Sequence, residues 1–176
     1  MSITPLPPAR LHGLAPILDA DTRLIVLGSF PSVTSLRAQR YYAHPQNQFW
    51  NILGALWGLP LHDMNYSEKT DALRAHGLGV WDVYAACERE GSLDSAIKNA
   101  QLNDLNGLKT RCPRLQAFAH NGGESFKHAR HTRALGLPVH RLPSSSPANA
   151  SWSFERKLAA WREVFASHGL TQQEGV

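Results

Sequence analysis

At 176 residues, with 43% hydrophobic and 18% charged residues, the chain has the length and balance of one globular domain, not those of a disordered or coiled-coil sequence. Eighteen Lys and Arg against fourteen Asp and Glu give a net charge of +4 and an isoelectric point near 9.3, which suits an anionic partner without proving one. No apolar run approaches the ~18 residues of a membrane span, and the start, Met1-Ser2-Ile3-Thr4-Pro5, lacks the basic and apolar regions of a secretory leader. Two cysteines, Cys87 and Cys112, are too few for a four-thiolate zinc or iron–sulfur site. Their spacing permits a disulfide, but without a leader both are read as reduced thiols serving as small apolar residues.

In chain order, the first clear element is Arg23-Leu24-Ile25-Val26-Leu27-Gly28, an apolar run ending in glycine that predicts a buried strand. Residues 49–57 carry apolar side chains at 49, 50, 52, 53, 56 and 57, a helical stripe closed by Gly58 and Pro60. A polar-faced helix is expected over 67–76, capped by Ser67 and stopped by Gly77. Residues 79–84 predict a second strand, 102–111 a helix, 115–120 a third strand and 124–135 the helix after it. A fourth strand is expected over 138–142 and a closing amphipathic helix over 153–165. Strand and helix thus alternate four times, with no internal repeat and no low-complexity segment. The expected fold is α/β, a three-layer α/β/α domain spanning 1–176 around a central four-stranded parallel sheet. Such sheets bind ligands beyond the carboxyl ends of their strands. Here those ends are 28–47, 82–90, 120–123 and 142–149, rich in Pro, Ser, Asn, Gly and aromatic residues.

The most distinctive stretch is Gly28-Ser29-Phe30-Pro31-Ser32 followed by Tyr41-Tyr42-Ala43-His44-Pro45-Gln46-Asn47-Gln48-Phe49-Trp50. A long connection after a strand tends to be functional. Tyr41 and Tyr42 are suited either to stack on a planar ring or to cover the sheet edge. Asn47 precedes an apolar helix, where its plainest role is an N-cap. Lys127, His128, Arg130, His131 and Arg133 form a basic helix after Gly122-Gly123, either a phosphate-facing surface or a solvated face. His128 and His131 lack a third ligand, so neither a metal nor a cofactor is expected.

Residues 28–50 resemble the first motif of the uracil-DNA glycosylase superfamily. In its mismatch-specific branch the motif runs Gly-Ile-Asn-Pro-Gly, a spacer, then Phe-Ala-His-Pro-x-Asn-x-Phe-Trp. On that register Tyr42 matches the base-stacking aromatic, and Phe30 stands where that branch has its catalytic Asn. The hypoxanthine-DNA (deoxyinosine) glycosylase branch is more similar: it carries Gly-Ser-Phe-Pro and Tyr-Tyr-x-x-Pro-x-Asn-x-Phe-Trp and uses the later Asn. The resemblance therefore implies Asn47 as the catalytic residue, Phe30, Tyr42 and Asp82 as base-binding residues, and Gly28, Ser29, Pro31 and Ser32 as the rest of the motif loop. Asp82 falls where uracil-reading relatives place a base-contacting Asn. Val80-Trp81-Asp82-Val83-Tyr84 and 87–94 resemble the branch's second-strand region. Leu142-Pro143-Ser144-Ser145-Ser146-Pro147-Ala148-Asn149 resembles its second motif, the loop that enters DNA. In that loop Ser144, Ser145 and Ser146 can donate to phosphates, and Leu142, Pro147 and Ala148 are the apolar options for filling the gap left by a flipped base, although Leu142 also fits as a buried strand end. The resemblance spans about residues 23–165, and two cysteines exclude the superfamily's iron–sulfur branches.

What this implies is a monofunctional DNA glycosylase that removes chiefly hypoxanthine, for base excision repair. Hypoxanthine presents an N–H beside a carbonyl oxygen, whereas adenine presents an acceptor beside an amino group. One acceptor and one donor in the site therefore separate them, and a buried polar site left unpaired by the wrong base discriminates strongly. Expected partners are double- or single-stranded DNA containing deaminated bases, with no membrane; the expected state is a cytoplasmic monomer acting at the nucleoid. Nothing resembles the lysine and aspartate pair of a bifunctional lyase, so an abasic product without strand cleavage is expected. Competing readings are a uracil or mismatch-specific glycosylase of the same fold, and a non-catalytic damaged or single-stranded DNA binder, motivated by Phe30. A nucleoside hydrolase would want an acidic metal cluster that the sequence lacks.

Overall fold

The run Leu24-Ile25-Val26-Leu27 is fully buried, and an apolar strand without alternation must be covered on both faces. The computed structural model, which describes residues 3–4 and 9–172, places it at the centre of a parallel sheet. Chain order runs β1 (Leu11–His12), β2 (Leu24–Gly28), α1 (Val33–Ala38), α2 (Phe49–Trp57), α3 (Tyr66–Ala75), β3 (Leu78–Asp82), β4 (Tyr84–Glu88), β5 (Lys98–Leu102), α4 (Leu108–Arg111), β6 (Ala117–Asn121), α5 (Gly123–Phe126), α6 (Ala129–Arg133), β7 (Val139–Leu142) and α7 (Phe154–Ser167). The sheet has the order β3-β2-β6-β7, all neighbours parallel. Successive side chains of a strand point to opposite faces. Leu24 and Val26 accordingly enter one core with residues of α2, α3 and α7, while Ile25 and Leu27 enter a second with Phe118, Leu108, Cys87 and Cys112. Both cysteines are free and buried in that second core. Among the described residues, no helix is long and apolar enough to cross a membrane.

Four expectations are corrected. The helix expected from Ser67 starts at Tyr66, and its cap is Asn65, whose Oδ1 accepts from Glu68 N at 2.9 Å while its Nδ2 donates to Glu68 Oε1; the first bond satisfies a helix donor that Ser67 leaves alone. The second strand ends at Asp82, because Val83 N and Tyr84 N turn to Gly28 O and Ser29 O. The chain then enters an antiparallel ribbon of order β1-β4-β5. That ribbon takes residues 98–102, so the helix expected over 102–111 shrinks to α4. The basic helix expected over 124–135 breaks into α5 and α6 at Lys127 and His128, where His128 N bonds back three residues to Ser125 O and the His128 ring reaches the Tyr84 hydroxyl. The 28–47 connection contains a short helix of its own, α1, capped by Ser32 and ended by Gln39 in the left-handed region.

His120 of β6 locks the sheet to the helices that follow it. Its ring is fully buried, with Nδ1 2.8 Å from Ser125 Oγ and Nε2 2.9 Å from Thr132 Oγ1. Ser125 Oγ also donates to Leu27 O at 2.7 Å and Thr132 Oγ1 to Ala129 O at 2.9 Å, so each hydroxyl is shared between the ring and a backbone carbonyl. Burial pushes the His120 pKa down to about 4. The neutral ring's contribution to stability is complete above the ordinary value near pH 6.5 and is lost as pH falls towards 4, about 3 kcal/mol in all. In a histidine NMR titration, His120 should keep the signature of a neutral ring from pH 8 to about 5; a midpoint above pH 6 would contradict this arrangement.

Candidate active site

In a sheet of this order the chain turns opposite ways after β2 and after β6, and a crevice opens between their carboxyl ends. A cleft of about 1040 Å³ lies there. It is walled by the 28–32 loop, by Tyr41, Tyr42 and Asn47, by Asp82, by 92–95 and by 141–149. The 28–50 and 142–149 segments thus meet at one site, as expected; of the 82–90 segment only Asp82 lines it, and 92–95 takes the remaining place. Ser29 Oγ donates to Asp94 Oδ1 at 2.7 Å and Val33 N to Ser92 Oγ at 2.9 Å, which fastens 92–95 across the motif loop.

Asp82 is the last residue of β3 and stands beside Gly28 of β2 in the parallel register. A Cβ on Gly28 would lie 2.5 Å from Asp82 Oδ1 and 3.2 Å from the Tyr42 hydroxyl. Glycine here leaves the space that the carboxyl group occupies. Asp82 is 5% exposed, and its Oδ2 is buried without a hydrogen-bond partner. Burial, with Asp94 adding like charge, pushes its pKa up to about 7.

Tyr42 adopts φ 54°, in the left-handed region, and stacks on Phe49 with centroids 3.8 Å apart and planes at 17°. Tyr41 is 4% exposed and donates its hydroxyl proton to the carbonyls of 14 and 15, so of the two tyrosines it is the structural one. Asn47 Oδ1 accepts from Phe49 N at 3.0 Å, a capping bond at the start of α2, while the formal N-cap, Gln48, makes none with its side chain. The Asn47 NH2 group has no protein partner among the described residues, and Asn47 lines the cleft. The cap and the free amide donor therefore coexist in one side chain. Phe30 is 7% exposed and shared between the second core and the cleft.

One residue that sequence reasoning missed is Asn121. Its Oδ1 accepts from Ser145 N at 3.0 Å, and its Nδ2 donates to Ser145 Oγ at 3.0 Å and to the Tyr42 hydroxyl at 3.2 Å. The signal was present: a polar residue ending an apolar strand just before Gly122, which sits at φ 94° where a side chain would meet Ser144. Ser145 is consequently buried and committed, so it is not a phosphate donor. Of the two readings of Leu142 the buried strand end holds: it is 1% exposed in the first core and closes β7. Pro143, Ser144, Ser146, Pro147, Ala148 and Asn149 form the free part, with Pro147 and Ala148 exposed at its tip and Asn149 Nδ2 bracing Ser144 O at 3.3 Å. Trp161 Nε1 donates to Pro143 O at 2.9 Å, and the buried Lys157 reaches Ser146 O at 3.5 Å, supporting the loop from beneath.

After α5, Lys127 is paired with Glu124 at 2.7 Å. Arg133 and Arg141 instead lie over the Phe126 ring, 5.4 and 5.2 Å from its centroid, and neither has a carboxylate within salt-bridge distance among the described residues. No group of three or more His, Cys, Asp or Glu side chains suited to a metal occurs among the described residues.

Asp82 supplies a stability test. Its ionisation is disfavoured in the fold, so the cost it imposes grows as pH rises from about 4 to 7 and is constant above that. Asp82→Asn should thus be near neutral at pH 4 and stabilising by up to about 4 kcal/mol at pH 8, measured by urea unfolding; an effect independent of pH would show that the carboxylate is solvated.

Comparison with known proteins places this site in a wider group. The model of the Uracil DNA glycosylase superfamily matches residues 15–165. The chain is 40% identical over 154 residues to a hypoxanthine DNA glycosylase of Methanosarcina acetivorans, covering 88% of this chain and 97% of that one. It is 37% identical to the hypoxanthine DNA glycosylase of Methanosarcina barkeri, covering 89% and 98%. The solution NMR structure of a Methanosarcina acetivorans protein assigned to uracil DNA glycosylase superposes with a TM-score of 0.79 at 38% identity, covering 89% of this chain and 99% of that one.

Proposed function

Because the chain belongs to the Uracil DNA glycosylase superfamily, we propose that it is a DNA glycosylase that hydrolyses the N-glycosidic bond of hypoxanthine in DNA, acting as a monomer at the nucleoid. The observation that carries the substrate reading is the unpartnered carboxylate oxygen that Asp82 presents to the cleft, neither of its side-chain oxygens being hydrogen-bonded among the described residues. An ionised carboxylate there accepts the lactam N–H of hypoxanthine and repels the ring lone pair that adenine presents at the same place. Leaving that oxygen unpaired with the wrong base is costly, which is how a site built for a hydrogen bond discriminates. Uracil offers the same N–H and carbonyl pair, so excision of uracil follows as a weaker activity in a cleft wide enough for a purine.

The remaining roles follow from placement. Tyr42, backed by Phe49, offers its free face to the extrahelical base, which stacking holds at ~1–3 kcal/mol. The Asn47 NH2 group orients the attacking water or stabilises the reacting centre, while Asn47 Oδ1 stays anchored to α2. Ser144 and Ser146 position phosphates, and Pro147 and Ala148 approach the space left by the flipped base. Arg133 and Arg141, pinned on Phe126, carry the backbone track away from the cleft.

Duplexes holding one inosine, uracil or xanthine, incubated with the protein and then alkali, test the reading. Alkali-dependent breakage should be strongest at inosine, with intact strands before alkali; breakage at uracil alone would replace hypoxanthine with uracil as the substrate. Asn47→Ala should slow single-turnover excision at least ~100-fold, and the lost capping bond should cost ~0.5–2 kcal/mol in melting experiments. A lowered melting point with a near-normal rate would reduce Asn47 to a cap. Arg133→Gln with Arg141→Gln should weaken binding to damaged and undamaged duplex alike and make the salt dependence of log Kd shallower by roughly two counterions; an unchanged slope would move the backbone track elsewhere.

A further inference from the structure

Arg89 follows β4 and is buried beneath the cleft floor, with 9% of its surface exposed. Its Nη2 donates to Pro31 O at 2.6 Å, and its guanidinium carbon lies 5.2 Å from the centroid of Phe30. Nε and Nη1 are buried with no hydrogen-bond partner. No carboxylate lies within salt-bridge distance of Arg89 among the described residues, although Asp94 and Asp82 are close enough to favour its charge. A desolvated cation with two idle donors is strongly destabilising in a small fold, since buried charges are otherwise paired. Phe30 lines the cleft and Arg89 does not, so the charge sits on the protein side of the ring.

We infer that Arg89 is a positioning residue that clamps Phe30 and Pro31 and directs a fixed positive field through the Phe30 ring at the departing base. The inference rests on the glycosylase reading. When the bond between C1′ and the base nitrogen breaks, its electron pair stays with the base, which becomes an anion, and positive charge collects on the sugar. Water adds to C1′, its proton ends on the base or in solvent, and the products are the neutral base and an abasic hydroxyl. A preorganised charge aimed where negative charge develops acts on the transition state more than on bound substrate. A base stacked on Phe30 would be about 9 Å from the guanidinium, and one unit charge at that range in a partly screened interior alters the rate on the order of 10–30-fold. The idle donors fit this role: a carboxylate paired to Arg89 would cancel the field.

The test compares native protein, Arg89→Met and Arg89→Lys on duplexes carrying hypoxanthine, xanthine, uracil or 5-fluorouracil, bases that differ in the acidity of the leaving nitrogen. Binding is read separately with 2′-fluoroarabino-inosine duplex, which resists hydrolysis. Arg89→Met should slow excision of hypoxanthine about 10- to 30-fold, slow the more acidic bases less, and leave affinity within about threefold; Arg89→Lys, which keeps the charge, should recover most of the rate. An equal loss on every base, or a loss confined to affinity, makes Arg89 structural and overturns the proposal. Should Arg89→Met not fold, Arg89→Lys decides alone: a folded lysine variant as slow as Asn47→Ala also overturns it. A native protein inert on all four duplexes removes the glycosylase reading itself, and this inference with it, whereas with an active native protein any failure belongs to Arg89 alone.

Discussion

One carboxamide holds the site in its shape. Asn121 ends the central strand β6, and its three side-chain hydrogen bonds tie the tyrosine of one loop to the serine of another. The segments joined come from positions 42, 121 and 145, far apart in the chain, and loop closure over such distances is opposed by chain entropy. A buried amide with all its groups satisfied sets a unique geometry, because any slip leaves a polar atom unpaired in a poorly screened interior. A second link, Gln48 N to Ser145 O at 3.0 Å, attaches the start of α2 to the same serine. The distance between the two motif loops is thereby a property of the sheet, not of the loops.

Around this clamp the fold tolerates groups that a purely stable protein would discard. Asp82 and Arg89 carry unpartnered buried atoms of opposite charge, close enough to bias each other and too far apart to form an ion pair. Buried polar groups are almost always paired, and exceptions concentrate where function requires them. The surrounding packing is unexceptional: Phe49 meets Trp50 and Trp161 edge to face, and the two cores fill both sides of the sheet. Stability comes from that packing, and the cleft floor gives part of it up.

The parallel strands and α2 were legible because their apolar spacing is strong and glycine closes β2, follows β6 and stops α2, and the first motif was legible because its residues resemble a family motif at matching spacing. The ribbon was not. Its outer strand, Lys98-Asn99-Ala100-Gln101-Leu102, is exposed along its whole length, so no hydrophobic alternation marks it. The break between Asp82 and Tyr84 is invisible for a similar reason, since apolar residues continue through it and only the hydrogen bonds to the motif loop change. Arg89, Asn121 and Lys157 were missed as site supports because each depends on what it meets in space, and a lone Arg, Asn or Lys has no periodicity to betray it. Leu142 and Ser145 show the converse: membership of a motif placed them near DNA, while burial assigns them to the scaffold.

Tyr42 holds a backbone conformation that residues with a side chain seldom adopt, and one face of its ring is already covered by Phe49 at 3.8 Å. Only one face is left for a guest, which makes an incoming base the next plate of a column of rings that begins inside the core. Its height in the cleft is therefore a dimension of the protein interior, transmitted outward from Trp161 through Phe49 to Tyr42. A substitution deep in the helical layer, touching neither loop, can retune which base sits level with Asp82, so the evolution of base preference in this scaffold need not pass through the residues that contact the base.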